Sequence, residues 1–202
     1  MLKHFITGPL AVNTYLLISK KVCVVIDPGE STAILEFIKE NALKLDWILL
    51  THAHFDHIGG VEELKRKTVS ALALHKDDLP LYQMASRVGE RYGFNITTKL
   101  PSPDLLFPSQ TYTLCWEEPI EVIHLPGHTP GGVAYIWKNY IFSGDTLFNG
   151  GIGRTDLEGG DMNTLLASIH KLIPLAKCKL ICPGHGTWTT IEKELRENIY
   201  LK

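Results

Sequence analysis

Three histidines and an aspartate crowd into His52-Ala53-His54-Phe55-Asp56-His57, directly after the apolar run Trp47 to Thr51 and directly before Ile58-Gly59-Gly60. Imidazole nitrogens and carboxylate oxygens are the donors that borderline divalent metals take. A chain leaving a strand turns alternate residues to one side, so 52 and 54 project together while 56 and 57 lie on the turn beyond. One loop can thereby present two neighbouring ligand sets. A solvated loop or a helix cap accounts for one such histidine, but poorly for three with a carboxylate.

Three further polar residues follow strand-like runs: His128 in Leu125-Pro126-Gly127-His128-Thr129-Pro130-Gly131, Asp145 in Phe142-Ser143-Gly144-Asp145-Thr146, and His185 in Cys182-Pro183-Gly184-His185-Gly186. Loops after strands are where α/β sheets gather ligands and catalytic groups. The preceding glycine lets the backbone turn sharply and aim the side chain. His52, His54, His57, His128 and His185 with Asp56 and Asp145 make an inventory suited to two metal ions. Two such ions lower the pKa of a shared water from near 16 to about 7 and supply hydroxide at neutral pH. No protein nucleophile is then needed, and the sequence contains neither a G-x-S-x-G elbow nor an H-E-x-x-H helix.

The elements that must position these residues alternate. Asn13 to Ile18 and Val22 to Ile26 read as paired strands, stopped by Asp27-Pro28-Gly29. Ser31 caps a helix whose apolar face is Ile34, Leu35, Ile38, Ala42 and Leu45. A buried strand from Trp47 to Thr51, a helix from Val61 to Lys67, a strand from Val69 to Leu74 and a helix from Asp78 to Arg91 complete the first half. Strands dominate next: Thr111 to Cys115, Ile120 to Leu125, Val133 to Trp137 and Tyr140 to Phe142, with a turn at Lys138-Asn139. A helix from Met162 to Leu172 behind an Asp161 cap, a strand from Leu180 to Cys182 and a helix from Ile191 to Ile199 close the chain. Two α/β halves with their sheets face to face would bury such strands on both sides.

The pattern His52-x-His54-x-Asp56-His57, then His128, Asp145 and His185, resembles the metal-binding motifs of the metallo-β-lactamase superfamily, in order along nearly the whole chain. Gly144-Asp145-Thr146-Leu147-Phe148 followed by Gly153-Arg154-Thr155-Asp156 further resembles the small glyoxalase II-like branch. The resemblance implies a four-layer αββα sandwich spanning residues 1–202 as one domain. It assigns His52, His54 and His128 to a first metal, Asp56, His57 and His185 to a second, and Asp145 as the bridge, making Asp56 and Asp145 the candidate catalytic carboxylates. Two divalent ions are implied, with zinc expected ahead of iron or manganese.

Where zinc-cysteine metallo-β-lactamases carry a cysteine this chain has Asp145, so antibiotic hydrolysis is not expected. Full-length glyoxalase II resembles it but adds a helical extension that grips glutathione; only Gly186 to Lys202 follow His185 here, so glutathione thioesters are expected to bind weakly. The expected reaction is thioester hydrolysis, since thiolates leave readily. The alternatives are a persulfide dioxygenase, which resembles the same motifs but uses one iron on two histidines and an aspartate, and a non-enzymatic metal-binding module.

Twenty basic against 22 acidic residues give a net charge of -2 in 202 residues, with no field that would draw nucleic acid or anionic lipid. The partner expected is a small molecule. No signal-peptide core or roughly 20-residue apolar span is visible, which points to a cytoplasmic protein and makes the sequon Asn95-Ile96-Thr97 uninformative. Cys23, Cys115, Cys178 and Cys182 lack a C-x-x-C pair and read as buried small hydrophobes. Asp27, His124 and His75 are candidates to orient a ligand imidazole. Arg154 is a candidate to contact a substrate carboxylate or to brace the Asp145 loop, Gly151 and Gly153 read as loop glycines, and His4 and His170 as surface or helix-end histidines.

Overall fold

Alternation along single strands shows why this chain builds two stacked sheets. Tyr15 and Leu17 bury into one core while Leu16 and Ile18 bury into another, and Val24 and Ile26 alternate in the same way with Cys23 and Val25. A strand apolar on both faces must be covered on both. The computed structural model describes residues 1–94 and 99–202, so the Asn95-Ile96-Thr97 sequon lies outside the described residues.

The chain runs β1 (Leu2–Thr7), β2 (Val12–Ser19), β3 (Val22–Ile26), α1 (Thr32–Glu40), β4 (Lys44–Leu49), α2 (Val61–Lys67), β5 (Ala71–His75), α3 (Leu79–Arg91) and β6 (Leu105–Phe107). It continues β7 (Tyr112–Leu114), β8 (Ile120–His124), β9 (Val133–Trp137), β10 (Tyr140–Gly144), β11 (Leu147–Phe148), β12 (Gly151–Ile152), α4 (Met162–Leu175), β13 (Leu180–Pro183), β14 (Thr189–Thr190) and α5 (Ile191–Glu197). One sheet has the order β1-β2-β3-β4-β5-β6, with β3 to β6 parallel; the other has the order β14-β13-β10-β9-β8-β7, antiparallel except for β10 and β13.

Between the sheets lies a core that includes Tyr15, Ile26, Leu49, Phe107, Tyr135, Trp137 and Phe142. Ile34, Ile38, Leu64 and Tyr82 hold α1, α2 and α3 against the outer face of the first sheet. Leu172 and Ile191 hold α4 and α5 against the outer face of the second. The result is the four-layer αββα sandwich.

Several elements differ from the sequence reading. Helix α1 ends at Glu40, because Ala42 takes φ 48° and turns the chain, so Leu45 packs from β4 instead of continuing a helical face. Helix α4 runs three residues past Leu172, through Pro174 in its last turn. Strands β1, β6 and β14 were not anticipated; they are edge or near-edge strands whose exposure breaks the apolar pattern. Cys23 and Cys182 are buried as expected, but Cys115 and Cys178 are exposed, since each falls beyond the strand or helix that would have covered it.

Hydrogen bonds tie the two sheets together at the end where β3, β4, β8, β10 and β13 release their loops. Tyr135 donates its hydroxyl to Leu50 O at 2.6 Å, Tyr15 to Pro183 O at 2.7 Å, and Val133 N donates to Thr51 O at 2.8 Å. Asp78, fully buried at the start of α3, joins two of these loops: Oδ2 accepts from Ala53 N and Thr129 Oγ1, both at 2.9 Å, and Oδ1 accepts from Gly131 N at 2.5 Å. Gly131 has no room for a side chain there, since a Cβ would stand 2.5 Å from Asp78 N.

Two stability outcomes follow. Phe142→Ala opens a void between the sheets and should cost about 3–5 kcal/mol, read as a lower urea midpoint at unchanged slope. Asp78→Ala leaves buried N–H groups unpaired and should cost about 3 kcal/mol, a drop in Tm of roughly 6–12 °C in thermal denaturation.

Candidate metal centre

Every residue singled out as a ligand lies just past the end of a strand: His52 to His57 beyond β4, His128 beyond β8, Asp145 beyond β10 and His185 beyond β13. The fold brings all seven to one edge of the sandwich. Donor atoms of His52, His54 and His128 lie within 4.8 Å of one another, as do those of Asp56, His57 and His185. Asp145 stands between the groups: Oδ1 is 3.5 Å from His57 Nε2 and Oδ2 is 3.6 Å from His128 Nε2. His185 Nε2 lies 3.2 Å from both Asp56 Oδ2 and His57 Nε2. Donors arranged tetrahedrally at about 2.0–2.2 Å from one ion stand roughly 3.3–3.6 Å apart, so these separations match a shared cation.

Four of the five imidazoles are anchored by their outer nitrogen. His52 Nδ1 donates to Thr51 Oγ1 at 3.0 Å, because that hydroxyl spends its own proton on Asp27 Oδ2 at 2.6 Å. His57 Nδ1 donates to Asp27 Oδ2 at 3.0 Å, His128 Nδ1 to Arg154 O at 2.8 Å, and His185 Nδ1 to Leu10 O at 3.1 Å. Each of these oxygens accepts, so each fixes its imidazole with Nδ1–H outward and Nε2 inward. Asp27 is itself buried, takes φ 50°, and accepts from Thr51 N at 2.7 Å.

Three of the inward atoms find no partner among the described residues and fit a cation. His52 Nε2, His128 Nε2 and Asp145 Oδ1 are buried without a hydrogen-bond partner. Orphaned acceptors of this kind are costly unless a ligand completes them. Two glycines admit this crowding: a Cβ on Gly184 would stand 2.2 Å from Asp145 Oδ1, and one on Gly153 1.9 Å from Asp145 O. Gly153 is therefore required by packing, beyond the loop role its sequence suggests.

Charge divides the two groups. Burial, with the neighbouring His57 and His54, pushes the His52 imidazole well below its usual range, and burial with His128 brings His54 down to about 3. Both present lone pairs at neutral pH. His57 is equally buried, yet Asp56, Asp145 and Asp27 outweigh that burial and push it up to about 10, so a cation held there would take the place of its Nε2 proton. The same pairing holds the Asp56 carboxyl well below the usual carboxylate range against its own burial.

Asp27 holds the imidazole of His57, a candidate ligand, whereas His124 and His75 hold none of the candidate ligands. Their rings stack on each other at 3.9 Å, His124 Nε2 donates to Pro130 O, and His75 Nδ1 accepts from Asp77 N. Arg154 braces the site through its carbonyl on His128, while its guanidinium is paired with Asp156 at 2.8 Å. His170 is exposed on α4, whereas His4 is half-buried, stacked on Tyr15 and bonded to Asn13 Oδ1. Sequence reasoning missed Asp78 and Asn13. The Asn13 amide donates to Pro183 O and Gly186 O on either side of His185, and no local pattern marks a residue whose partners are 170 and 173 positions away.

A cavity of about 770 Å³ opens over five of the seven, His54, Asp56, His128, Asp145 and His185. No helix among the described residues is long and apolar enough to cross a membrane.

The family model described as metallo-beta-lactamase superfamily matches residues 7–185. The chain is 41% identical over 200 residues to a probable metallo-hydrolase, YqgX, of Bacillus subtilis, covering 96% of this chain and 94% of that one. It is 38% identical to the hydroxyacylglutathione hydrolase GloC of Haemophilus influenzae over 90% of this chain and 88% of that one. Among solved structures, TTHA1623 in a di-iron-bound form superposes with a TM-score of 0.91 at 39% identity, covering 98% and 100% of the two chains. The BLEG-1 B3 metallo-beta-lactamase superposes with a TM-score of 0.89 at 39% identity over the whole of both chains. The motif order, the αββα sandwich and the converging imidazoles have the same explanation: the chain belongs to the metallo-β-lactamase superfamily.

Proposed function

We propose that this protein is a two-metal hydrolase acting on thioesters. The observation that carries the reading is the placement of Asp145, with one carboxylate oxygen turned toward each histidine group. In this reading His52, His54 and His128 would hold one ion, Asp56, His57 and His185 would hold the other, and Asp145 would serve both. The name of the GloC relative supports the thioester, and the di-iron form of TTHA1623 supports two-metal occupancy of this fold. Zinc is the metal proposed here, with iron as the alternative that elemental analysis distinguishes.

Bound there, two divalent cations supply Lewis acidity, lowering the pKa of water to about 7 and polarising a carbonyl. The chain's own contribution is placement. Thr51, Asp27, Arg154 O and Leu10 O keep four imidazoles from rotating. The Asp56 and Asp145 carboxylates line the cavity floor, where their oxygens can accept the proton that an attacking water gives up. A thiol has a pKa of about 8.5 and leaves as the thiolate near neutral pH, so thioester cleavage needs no strong proton donor from the protein.

Metal content and rate separate the roles. Asp145→Ala should lose metal from both groups and fall to background rate, because two cations then sit close with one less negative charge between them. His185→Ala should retain about one metal per chain while hydrolysis drops at least tenfold. The measurement is elemental analysis beside hydrolysis of a chromogenic thioester, with nitrocefin as the β-lactam control. Two metals and near-normal rate in Asp145→Ala would remove the bridging assignment. Full rate with one metal in His185→Ala would remove the two-metal mechanism. One iron per wild-type chain, with oxygen uptake on a persulfide, would replace the hydrolase reading.

A further inference from the structure

The cavity over His54, Asp56, His128, Asp145 and His185 has one wall that the chemistry above does not use. Helix α3 and the residue after it turn Leu81, Ala85, Val88 and Tyr92 toward it. The spacing of four, three and four residues is that of one helical face, and it makes an apolar strip roughly 16 Å long. Phe148 and Ile152 line the cavity from the second half of the chain. Phe55, from the histidine loop itself, stacks on Tyr92 with ring centroids 5.6 Å apart, tying the strip to the ligand residues. A 770 Å³ space of this kind suits a ligand larger than a short hydroxyacyl group, which would leave most of the strip wet.

The polar groups near the strip's end are unequal. Arg154 is held by both of its contacts to Asp156. Arg91, also lining the cavity, forms no ion pair among the described residues. An exposed, uncommitted guanidinium beside an apolar strip matches a carboxylate at the far end of an apolar arm.

We infer that the α3 strip selects the substrate: the site takes thioesters with an extended apolar acyl arm, and best those whose arm ends in a carboxylate seated at Arg91. This rests on the thioesterase reading for the reaction, but the recognition itself is separate from it. A hydrophilic thiol carrier makes little use of such a wall.

The test uses the metal-loaded full chain and mercaptoethanol thioesters carrying acetyl, butanoyl, hexanoyl and octanoyl arms, with suberoyl as the carboxylate-ended counterpart of octanoyl. The non-cleavable S-alkyl thioethers are titrated in parallel by calorimetry. Affinity and kcat/KM should rise about fourfold per methylene, and suberoyl should exceed octanoyl by about tenfold. Val88→Ser should flatten the chain-length dependence, and Arg91→Gln should erase the suberoyl preference, with Tm and metal content reporting that both variants fold. Thioesters cleaved without chain-length dependence would overturn the inference and leave the hydrolase standing. Thioethers that bind with the expected dependence while no thioester is cleaved would do the reverse. An unchanged slope in Val88→Ser would also overturn it.

Discussion

Four imidazoles are made to point their Nε2 atoms at one small volume, and much of the surrounding structure serves that constraint. Lone pairs and carboxylates repel when desolvated together, so the side chains would rotate apart unless held from behind. The holding groups are acceptors that cannot themselves enter the centre: Arg154 O, Leu10 O, the Asp27 carboxylate and, through it, the Thr51 hydroxyl. Asp27 is central because it serves Thr51 and His57 at once, from a backbone conformation with φ 50°.

This anchoring explains the architecture around the site. Backbone carbonyls can be placed to within a few tenths of an ångström only where the chain is itself fixed, and the sheet edge fixes it. Asn13 N bonds Gly184 O, Val133 N bonds Thr51 O, and Tyr15 and Tyr135 reach from the inter-sheet core to carbonyls beside His185 and His52. Asp78 adds the only described carboxylate bridge between the Ala53 and Gly131 loops. The site is thus supported from both sheets, and a core substitution at Phe142 and a loop substitution at Asp78 act on the same edge.

Burial also divides the labour between the two donor groups. His52 and His54 are kept neutral by burial and by neighbouring imidazoles, whereas His57 is pulled toward its charged form by three carboxylates. The two groups therefore differ in charge although both are rich in histidine. Above them the α3 wall adds apolar surface next to a polar floor, and the proposed seating of an apolar arm beside a reacting polar bond rests on that combination.

The sequence by itself determined the donor inventory, its order, and the strands that precede each donor. Density of histidine in one loop and glycine before His128, Asp145 and His185 are local signals, and local signals survive in one dimension. Helix α2, strand β9 and the Asp161 cap of α4 were legible for the same reason: their periodicity and capping depend on near neighbours. Only the tertiary structure decided which of the remaining polar residues serve the site. Asp27 and His124 look alike in sequence, each beside a strand end and a glycine turn, yet the sheet packing puts Asp27 on His57 and His124 on Pro130. Asn13 and Asp78 act on partners brought from far along the chain. Edge strands β1 and β14 lacked a pattern because one side of each meets solvent, and Cys115 and Cys178 came out exposed because burial depends on which element lies across from a residue. That is set by how the layers stack, which no stretch of neighbouring residues encodes.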